Sequence, residues 1–224
     1  MRRYLRDNGL PLFFFLILVG ALVGQAFAGL ADYNNQQIAE GGHSIGMGRY
    51  LTSSQFGVDV MENWQSEYLQ FFLYIFVTVW LTQRGSPESK NLDKRGTESD
   101  ADQKVGKHAE PSSPALASAG GLRGLLFSRS LGLVMGTIFL LSLLVQSIAG
   151  RVAYNANQLA QYEDTLSWGQ YIGSADFWSR TFQNWQSEFL AVASMAALSI
   201  YLRQRGSPES KPVGTSHGAT GIEG

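Results

Sequence analysis

Charged and apolar positions alternate along the chain in blocks that define four apolar segments. Positions 8–31 form a charge-free run of 24 residues, and positions 130–150 form a second run of 21. Each run has the length of a membrane-spanning helix, which needs about 20 residues. Two shorter charge-free runs are 68–83 with 16 positions and 189–202 with 14. Each is too short to span a membrane unless the helix also includes neighbouring polar residues. The pattern predicts transmembrane helices at about 10–31, 63–83, 130–150 and 184–203.

The second half of the chain repeats the first at a constant offset of 121. The pentad Asn-Trp-Gln-Ser-Glu at 63–67 recurs at 184–188, and the octad Gln-Arg-Gly-Ser-Pro-Glu-Ser-Lys at 83–90 recurs unchanged at 204–211. Between 25 and 90, 26 of 66 positions are identical to their counterparts without a gap. Because each copy holds two apolar segments, both copies start on the same side of the membrane, which makes the repeats parallel.

These observations predict an all-α, polytopic membrane protein whose four transmembrane helices form two parallel two-helix repeats. The repeats occupy 1–90 and 122–211. Residues 91–121 contain few large apolar side chains and cannot bury enough surface to offset the entropy of ordering. We expect that segment to be a disordered cytoplasmic linker, and 212–224 a disordered tail.

The distribution of basic residues predicts the orientation of the helices. Of the 17 Lys and Arg residues, 14 lie on one predicted side: Arg2, Arg3, Arg6, Arg84, Lys90, Lys94, Arg95, Lys104, Lys107, Arg123, Arg129, Arg203, Arg205 and Lys211. The loops on the other side hold only Arg49, Arg151 and Arg180. Since cytoplasmic loops carry the excess of Lys and Arg, both termini and the linker are predicted to be cytoplasmic.

The two predicted outer loops are acidic. They carry nine carboxylates against three bases: Asp32, Glu40, Asp59, Glu62, Glu67, Glu163, Asp164, Asp176 and Glu188. This charge balance favours a cationic ligand or partner over an anionic one.

The first apolar segment also has the form of a secretory signal peptide. An Arg-rich start and an apolar run precede Ala26-Phe27-Ala28, which has the form of a cleavage site. The same form recurs at 146–150, deep inside the chain, where no signal peptide can lie. A retained first helix is therefore the preferred interpretation.

Polar residues recur near the predicted outer ends of the helices. The candidate intramembrane cluster comprises Gln25, Asn63, Glu67, Gln146, Asn184 and Glu188. One interpretation is a cation or proton site that opens outward, because ionisable groups in membranes usually face the bundle interior. The preferred interpretation is hydrogen bonding that holds the two halves together. Trp64 and Trp185 fit an interfacial aromatic belt, where they would anchor the helices.

The octads follow the second helix of each repeat and are predicted to stop it. Helix stops and contacts with lipid phosphates or a partner are assigned to Arg84, Gly85, Pro87, Arg205, Gly206 and Pro208. Capping accounts for the glycine and the proline of each octad but not for the identity of all eight residues. Docking of the octad on a partner or on the other repeat, and a recent duplication, stay open as explanations.

Composition limits the remaining chemistry. A net charge of −1 gives no reason to expect nucleic-acid binding, and the chain has no Cys for a thiolate site or nucleophile. Its three histidines, His43, His108 and His217, lie in separate segments, so we expect no metal site and no cofactor. The glycine-rich stretch 41–48 lacks the lysine of a phosphate loop and is predicted to be a flexible outer loop. An enzymatic activity is unsupported.

The chain resembles a family of uncharacterised bacterial integral membrane proteins known only as a domain of unknown function. The resemblance rests on the Met-Arg-Arg-Tyr-Leu-Arg-Asp-Asn-Gly start, the Gly24–Gly29 segment with Tyr33 and Asn34, the first pentad and the Arg-Gly-Ser-Pro-Glu-Ser ending at 84–89. It implies a bacterial cytoplasmic membrane and no activity. Ala153 stands where repeat one has Asp32, which weakens strict two-fold symmetry there. The expected function is a structural or interaction module, able to form a homo-oligomer or bind a membrane partner; the alternative is a small transporter or channel subunit that uses Glu67 and Glu188.

Overall fold

A computed structural model describes residues 2–222 of the chain, with the side chains of residues 2–4 left out, and this part is helical without any strand. Its α-helices, labelled α1 to α8, are Arg2–Asp7, Gly9–Ala39, Met47–Leu51, Ser54–Val77, Gly121–Ser128, Ser130–Ala160, Trp168–Ile172 and Ala175–Leu198. The predicted all-α class is confirmed.

Two helices, α2 and α6, are long and apolar enough to cross a membrane. Their most apolar windows are only 6% and 17% buried, whereas the core helix of a soluble protein would be mostly buried. The prediction of four such helices is wrong for the described residues, which contain two. Helices α4 and α8 fall short because each joins an apolar C-terminal half to a polar N-terminal half.

The helix boundaries repeat at the offset found in the sequence. Helices α2, α3 and α4 have 31, 5 and 24 residues, and α6, α7 and α8 have the same lengths and begin 121 positions later. Each repeat is thus a long helix, a single helical turn and a shorter helix. Helix α3 begins at Met47, inside the stretch 41–48 that was predicted to be a flexible loop.

The chain forms two compact units that cut across the repeats. Unit 1 comprises Met1–Met61 and Val145–Phe177, and unit 2 comprises Glu62–Leu144 and Trp178–Gly224. Each unit therefore takes a part of both repeats.

Helices α4 and α8 end at Val77 and Leu198, before the spans predicted to reach 83 and 203. After α4, the Thr78 N–H and hydroxyl both donate to the Tyr74 carbonyl, at 3.2 and 2.6 Å. After α8, the Arg203 guanidinium donates to the carbonyls of Ser199, Ile200 and Leu202. These groups satisfy terminal carbonyls that have no partner within a helix.

The segment between the first octad and α5 contains turns and two short 3₁₀ helices, Gly106–His108 and Ala115–Ser118. Lys90 at its start pairs with Glu98 at 2.7 Å. The disorder expected from its composition stays a prediction.

Candidate functional site

In unit 1, one asparagine side chain of each repeat binds the loop that follows its long helix. The Asn34 Oδ1 accepts from the Ile45 N–H at 2.8 Å, and its Nδ2 donates to the Ile45 carbonyl at 3.0 Å. Asn155 makes the same two bonds to Leu166, each at 2.9 Å. These two contacts, called the asparagine brackets below, use an amide to satisfy both backbone groups of one residue. They fix where the chain turns back toward α3 and α7.

A buried tyrosine completes the fold of each bracketed loop. Tyr50 is 1% exposed, and its ring lies 5.8 Å from that of Tyr33 and 5.5 Å from that of Phe56. Burial raises the pKa of the Tyr50 hydroxyl, and the nearby carboxylates of Asp59 and Asp32 raise it further. The hydroxyl therefore stays neutral well beyond physiological pH, as a structural hydrogen-bonding group requires.

Repeat two reproduces this packing around Tyr171, which is equally buried. Its ring lies 5.7 Å from that of Tyr154 and 5.8 Å from that of Phe177, and its hydroxyl donates to Asp176 at 3.0 Å. Gly150 faces the hydroxyl so closely that a Cβ atom there would overlap it, as a Cβ at Gly29 would overlap the Tyr50 hydroxyl. Close approach explains the glycine in both copies.

In unit 2, residues of the two pentads contact each other. The Trp185 indole N–H donates to the Gln65 Oε1 at 2.9 Å, and Gln65 is fully buried. Arg180 pairs with Glu62 at 3.3 Å, with the Glu62 side chain 17% exposed. Trp185 is thus more than the interfacial anchor that the sequence suggested, because it joins the second helices of the two repeats.

The candidate polar cluster is divided between the two units. Gln25 is half-buried and Gln146 buried in unit 1, while the other four residues belong to unit 2. Within unit 2, Asn63 and Glu67 are exposed, and Asn184 donates to the Arg180 carbonyl at 2.9 Å.

Glu67 and Glu188 both belong to unit 2. Glu188 is half-buried and Glu67 is exposed, so the pair lies on the surface of unit 2. Among the described residues, no three His, Asp or Glu side chains are grouped as ligands of a metal ion.

Both octads in unit 2 fold into the same turn. The Gln83 N–H donates to the Ser89 Oγ at 2.9 Å, and the Gln204 N–H donates to the Ser210 Oγ at the same distance. Gly85 and Gly206 have φ values of +87° and +79°, which favour glycine. These shared contacts require serine and glycine at matching positions, so part of the octad identity has a structural cause.

The last residue of the second octad reaches the first octad. The Lys211 ammonium donates to the Gly85 carbonyl at 2.6 Å and also to the carbonyls of Ser216, His217 and Ala219. Burial lowers the Lys211 pKa, and the neighbouring Arg203 charge lowers it further. Contact between the octads is one of the explanations that the sequence left open.

Residues 1–222 match a protein family described as "Domain of unknown function (DUF6766)". The chain belongs to this family. No curated protein and no solved structure matches it.

In this DUF6766 chain, the predicted helix-stop residues lie in different surroundings in the two copies. Gly85 and Pro87 are buried, whereas their counterparts Gly206 and Pro208 are exposed. Both helices end before the octads, so neither glycine forms the last turn of a helix. Arg84 and Arg205 are exposed, and lipid or partner contact by them stays a prediction.

Sequence reasoning missed the partners of several repeated residues. Tyr33 and Asn34 stood out because they recur at the constant offset, as do Gly29 and Tyr50. Identity at that offset was the available signal. Identity could not indicate the bonds to Ile45, because Ile45 bonds through its backbone N–H and carbonyl, which almost every residue has.

Proposed function

We propose that this DUF6766 protein is an integral protein of the bacterial cytoplasmic membrane and acts there as a structural or interaction module. The observation that carries this proposal is the polar contact between the second helices of the two repeats in unit 2. The Trp185–Gln65 hydrogen bond and the Arg180–Glu62 ion pair engage polar groups that would otherwise be available to a ligand. Such interhelical contacts hold membrane bundles together.

In this proposal the chain crosses the bilayer four times, as two parallel two-helix repeats. Helices α2 and α6 supply two crossings with long exposed apolar surfaces. Helices α4 and α8, of 24 residues each, measure about 36 Å at 1.5 Å per residue, which exceeds a hydrocarbon core of about 30 Å. Since half of such a helix, about 18 Å, is too short to cross the core, part of each polar half would lie in the core together with the apolar half.

Both termini and the linker lie in the cytoplasm under this proposal. The support is the placement of 14 of 17 basic residues in the N-terminus, the linker and the tail. Unit 1 would then include the outer ends of the repeats, where the asparagine brackets fold the loops.

Alkaline carbonate extraction of membranes from expressing bacteria tests the membrane proposal. The protein should stay in the membrane pellet, because its apolar helices cannot be solvated by water. A known peripheral membrane protein, which carbonate releases into the supernatant, is the control. Release of this protein along with the control would refute integral insertion.

A second candidate function is cation or proton movement through the Glu67 and Glu188 site. The observation that favours it is that α4 and α8 each carry one carboxylate, Glu67 or Glu188, at the start of the apolar half, and that both residues belong to unit 2. It predicts that purified protein in liposomes moves ions or protons, and that the Glu67→Gln/Glu188→Gln variant does not. Glu40→Gln, an exposed acid outside these helices, is the matched control. No flux by the wild type, or equal flux by the double variant, would eliminate this candidate.

A further inference from the structure

A cleft of about 580 Å³ opens in unit 1, between the end of α2 and the start of α4. It is lined by Tyr33 and Gln37 of α2, by residues 43–45 of the following loop, by Arg49 of α3 and by residues 52–54. Small-molecule sites have volumes of about 300–1,000 Å³. The cleft is therefore large enough for a small organic ligand.

The charge of the cleft differs from that of the loops around it. The predicted outer loops carry nine carboxylates and three bases, yet the described residues that line the cleft include no Asp or Glu. They do include Arg49, which is one of those three bases, and His43. An anion therefore suits this cleft better than a cation, although the overall composition of the loops favours a cation.

Several hydrogen-bond donors of the cleft are open to a ligand. The guanidinium of Arg49 and the imidazole of His43 make no hydrogen bond or ion pair with another side chain or carbonyl in residues 2–222. The same holds for the hydroxyls of Ser44 and Ser54 and for the amide of Gln37. The cleft thus brings two basic side chains together with neutral donors.

Contacts around the cleft hold its walls in place. The amide of Asn34 bonds both backbone groups of Ile45, which lines one side. Tyr50, next to Arg49 in α3, is 1% exposed, and its carbonyl accepts from the Ser53 N–H at 2.9 Å. A site whose walls are already fixed loses less conformational entropy when a ligand binds.

Repeat two folds in the same way without the two basic residues. At the constant offset, Asp164 stands in the place of His43 and Gln170 in the place of Arg49. The asparagine bracket and the packing around the buried tyrosine are nevertheless the same in both repeats. The fold of the loop therefore does not require a basic residue at either position, which leaves ligand binding as a use for the two in repeat one.

We propose that this cleft binds the phosphate group of a phosphoester, with Arg49 and His43 as the principal donors. A planar guanidinium bonds two phosphate oxygens at once, and an imidazole donates through one N–H in either neutral tautomer. The hydroxyls of Ser44 and Ser54 supply donors for the remaining oxygens. A carboxylate has only two oxygens and engages fewer of these donors. The proposal goes beyond the membrane role proposed above and does not depend on it.

Isothermal titration calorimetry of the full chain in a maltoside detergent tests the cleft, with inorganic phosphate as the probe. The wild type should show saturable binding at one site per chain. Arg49→Gln should weaken this binding about tenfold or more, because it removes charge-assisted hydrogen bonds. His43→Asp should also weaken it, since it places a carboxylate beside the anion. Both variants introduce the residue of repeat two, so the thermal unfolding midpoint without phosphate should stay that of the wild type.

Arg151→Gln is the matched control, because it removes the same charge from unit 1 outside the cleft. It should bind phosphate like the wild type. Acetate at equal ionic strength tests the class of anion and should bind more weakly than phosphate. The proposal is overturned by an absence of saturable phosphate binding, by equal affinity in Arg49→Gln and the wild type, by an equal loss in Arg151→Gln, or by equal affinity for acetate.

Two sources can supply the phosphate group, a lipid headgroup and a water-soluble phosphoester. If the ligand is a headgroup, phosphatidylglycerol added to the micelles should compete with inorganic phosphate, whereas the same amount of oleate, which controls for micelle charge, should not. Undiminished binding in the presence of phosphatidylglycerol assigns the cleft to a soluble phosphoester. Both results support a phosphate site and differ only in its source.

The calorimetry and the carbonate extraction can fail independently. A chain that stays in the membrane pellet but does not bind phosphate refutes the cleft and leaves the membrane proposal standing. A chain that leaves the pellet but binds phosphate through Arg49 refutes the membrane proposal and leaves the cleft standing.

Discussion

Individual residues in this protein are repeated where a close contact depends on them. The tyrosine that fills each bracketed loop is accommodated by a glycine on the preceding long helix, Gly29 for Tyr50 and Gly150 for Tyr171. The brackets depend on an amide in the same way, because only a group that both donates and accepts can bond both backbone groups of Ile45.

Replacing Gly150 with alanine should destabilise the protein. The new Cβ would overlap the hydroxyl of Tyr171, which is 1% exposed and cannot move aside freely. Overpacking of this kind costs about 1–3 kcal/mol, so we expect a lower midpoint of thermal unfolding in detergent.

Gly24→Ala is the control for that experiment, since a Cβ at Gly24 meets nothing within 4 Å. It should leave the midpoint unchanged or raise it, because alanine favours helix. Tyr171→Phe in the Gly150→Ala background should recover part of the loss by removing the overlapping oxygen. An unchanged midpoint for Gly150→Ala would show that the contact is looser than the structure indicates.

At the residue scale, the sequence predicted which positions are repeated but not what they contact. The bracket partners Ile45 and Leu166 use backbone groups, and they differ in side chain between the copies. The polar cluster was predicted from helix depth alone. Depth does not specify which side of a helix faces a neighbour, and Glu67 turned out to be exposed.

At the scale of elements, α4 and α8 show how one sequence pattern can have two structural uses. Both carry the pentad, yet the indole of Trp185 bonds a buried amide while Trp64 makes no indole hydrogen bond among the described residues. The contact between the repeats is therefore asymmetric although the pentads are identical.

This asymmetry predicts different effects of the same substitution in the two copies. Trp185→Phe should destabilise the protein by about 1–3 kcal/mol, because it leaves the buried Gln65 Oε1 without its donor. Trp64→Phe should have a smaller effect, since it breaks no such bond. Thermal unfolding of both variants in the same detergent measures the difference, and equal losses would contradict the asymmetric contact.

The helices themselves were largely predictable, and their ends were not. Apolar runs located α2, α4, α6 and α8 because long stretches without charge dominate local structure. The ends of α4 and α8 depend on contacts such as the Arg203 guanidinium with the carbonyls after α8. The five-residue helices α3 and α7 are too short to show a helical period.

At the scale of the whole molecule, the duplication produced compact units that combine both repeats. Unit 1 takes Met1–Met61 with Val145–Phe177, so neither repeat alone supplies it. The sequence predicted the repeat boundaries from identity, but identity carries no information on how the two copies share their contacts. Shared units also make separate folding of one repeat unexpected.

The proposed membrane topology places the bracketed loops outside and the linker and tail inside. Ser44, Ser99 and Ser216 are exposed and can each be replaced by a single cysteine. Because the chain has no cysteine of its own, a membrane-impermeant maleimide applied to intact cells labels this protein only at the introduced position. Permeabilised cells, in which all three should react, control for reactivity. The proposed topology predicts that only Ser44→Cys reacts in intact cells. Labelling of Ser99→Cys or Ser216→Cys in intact cells, with Ser44→Cys protected, would contradict it.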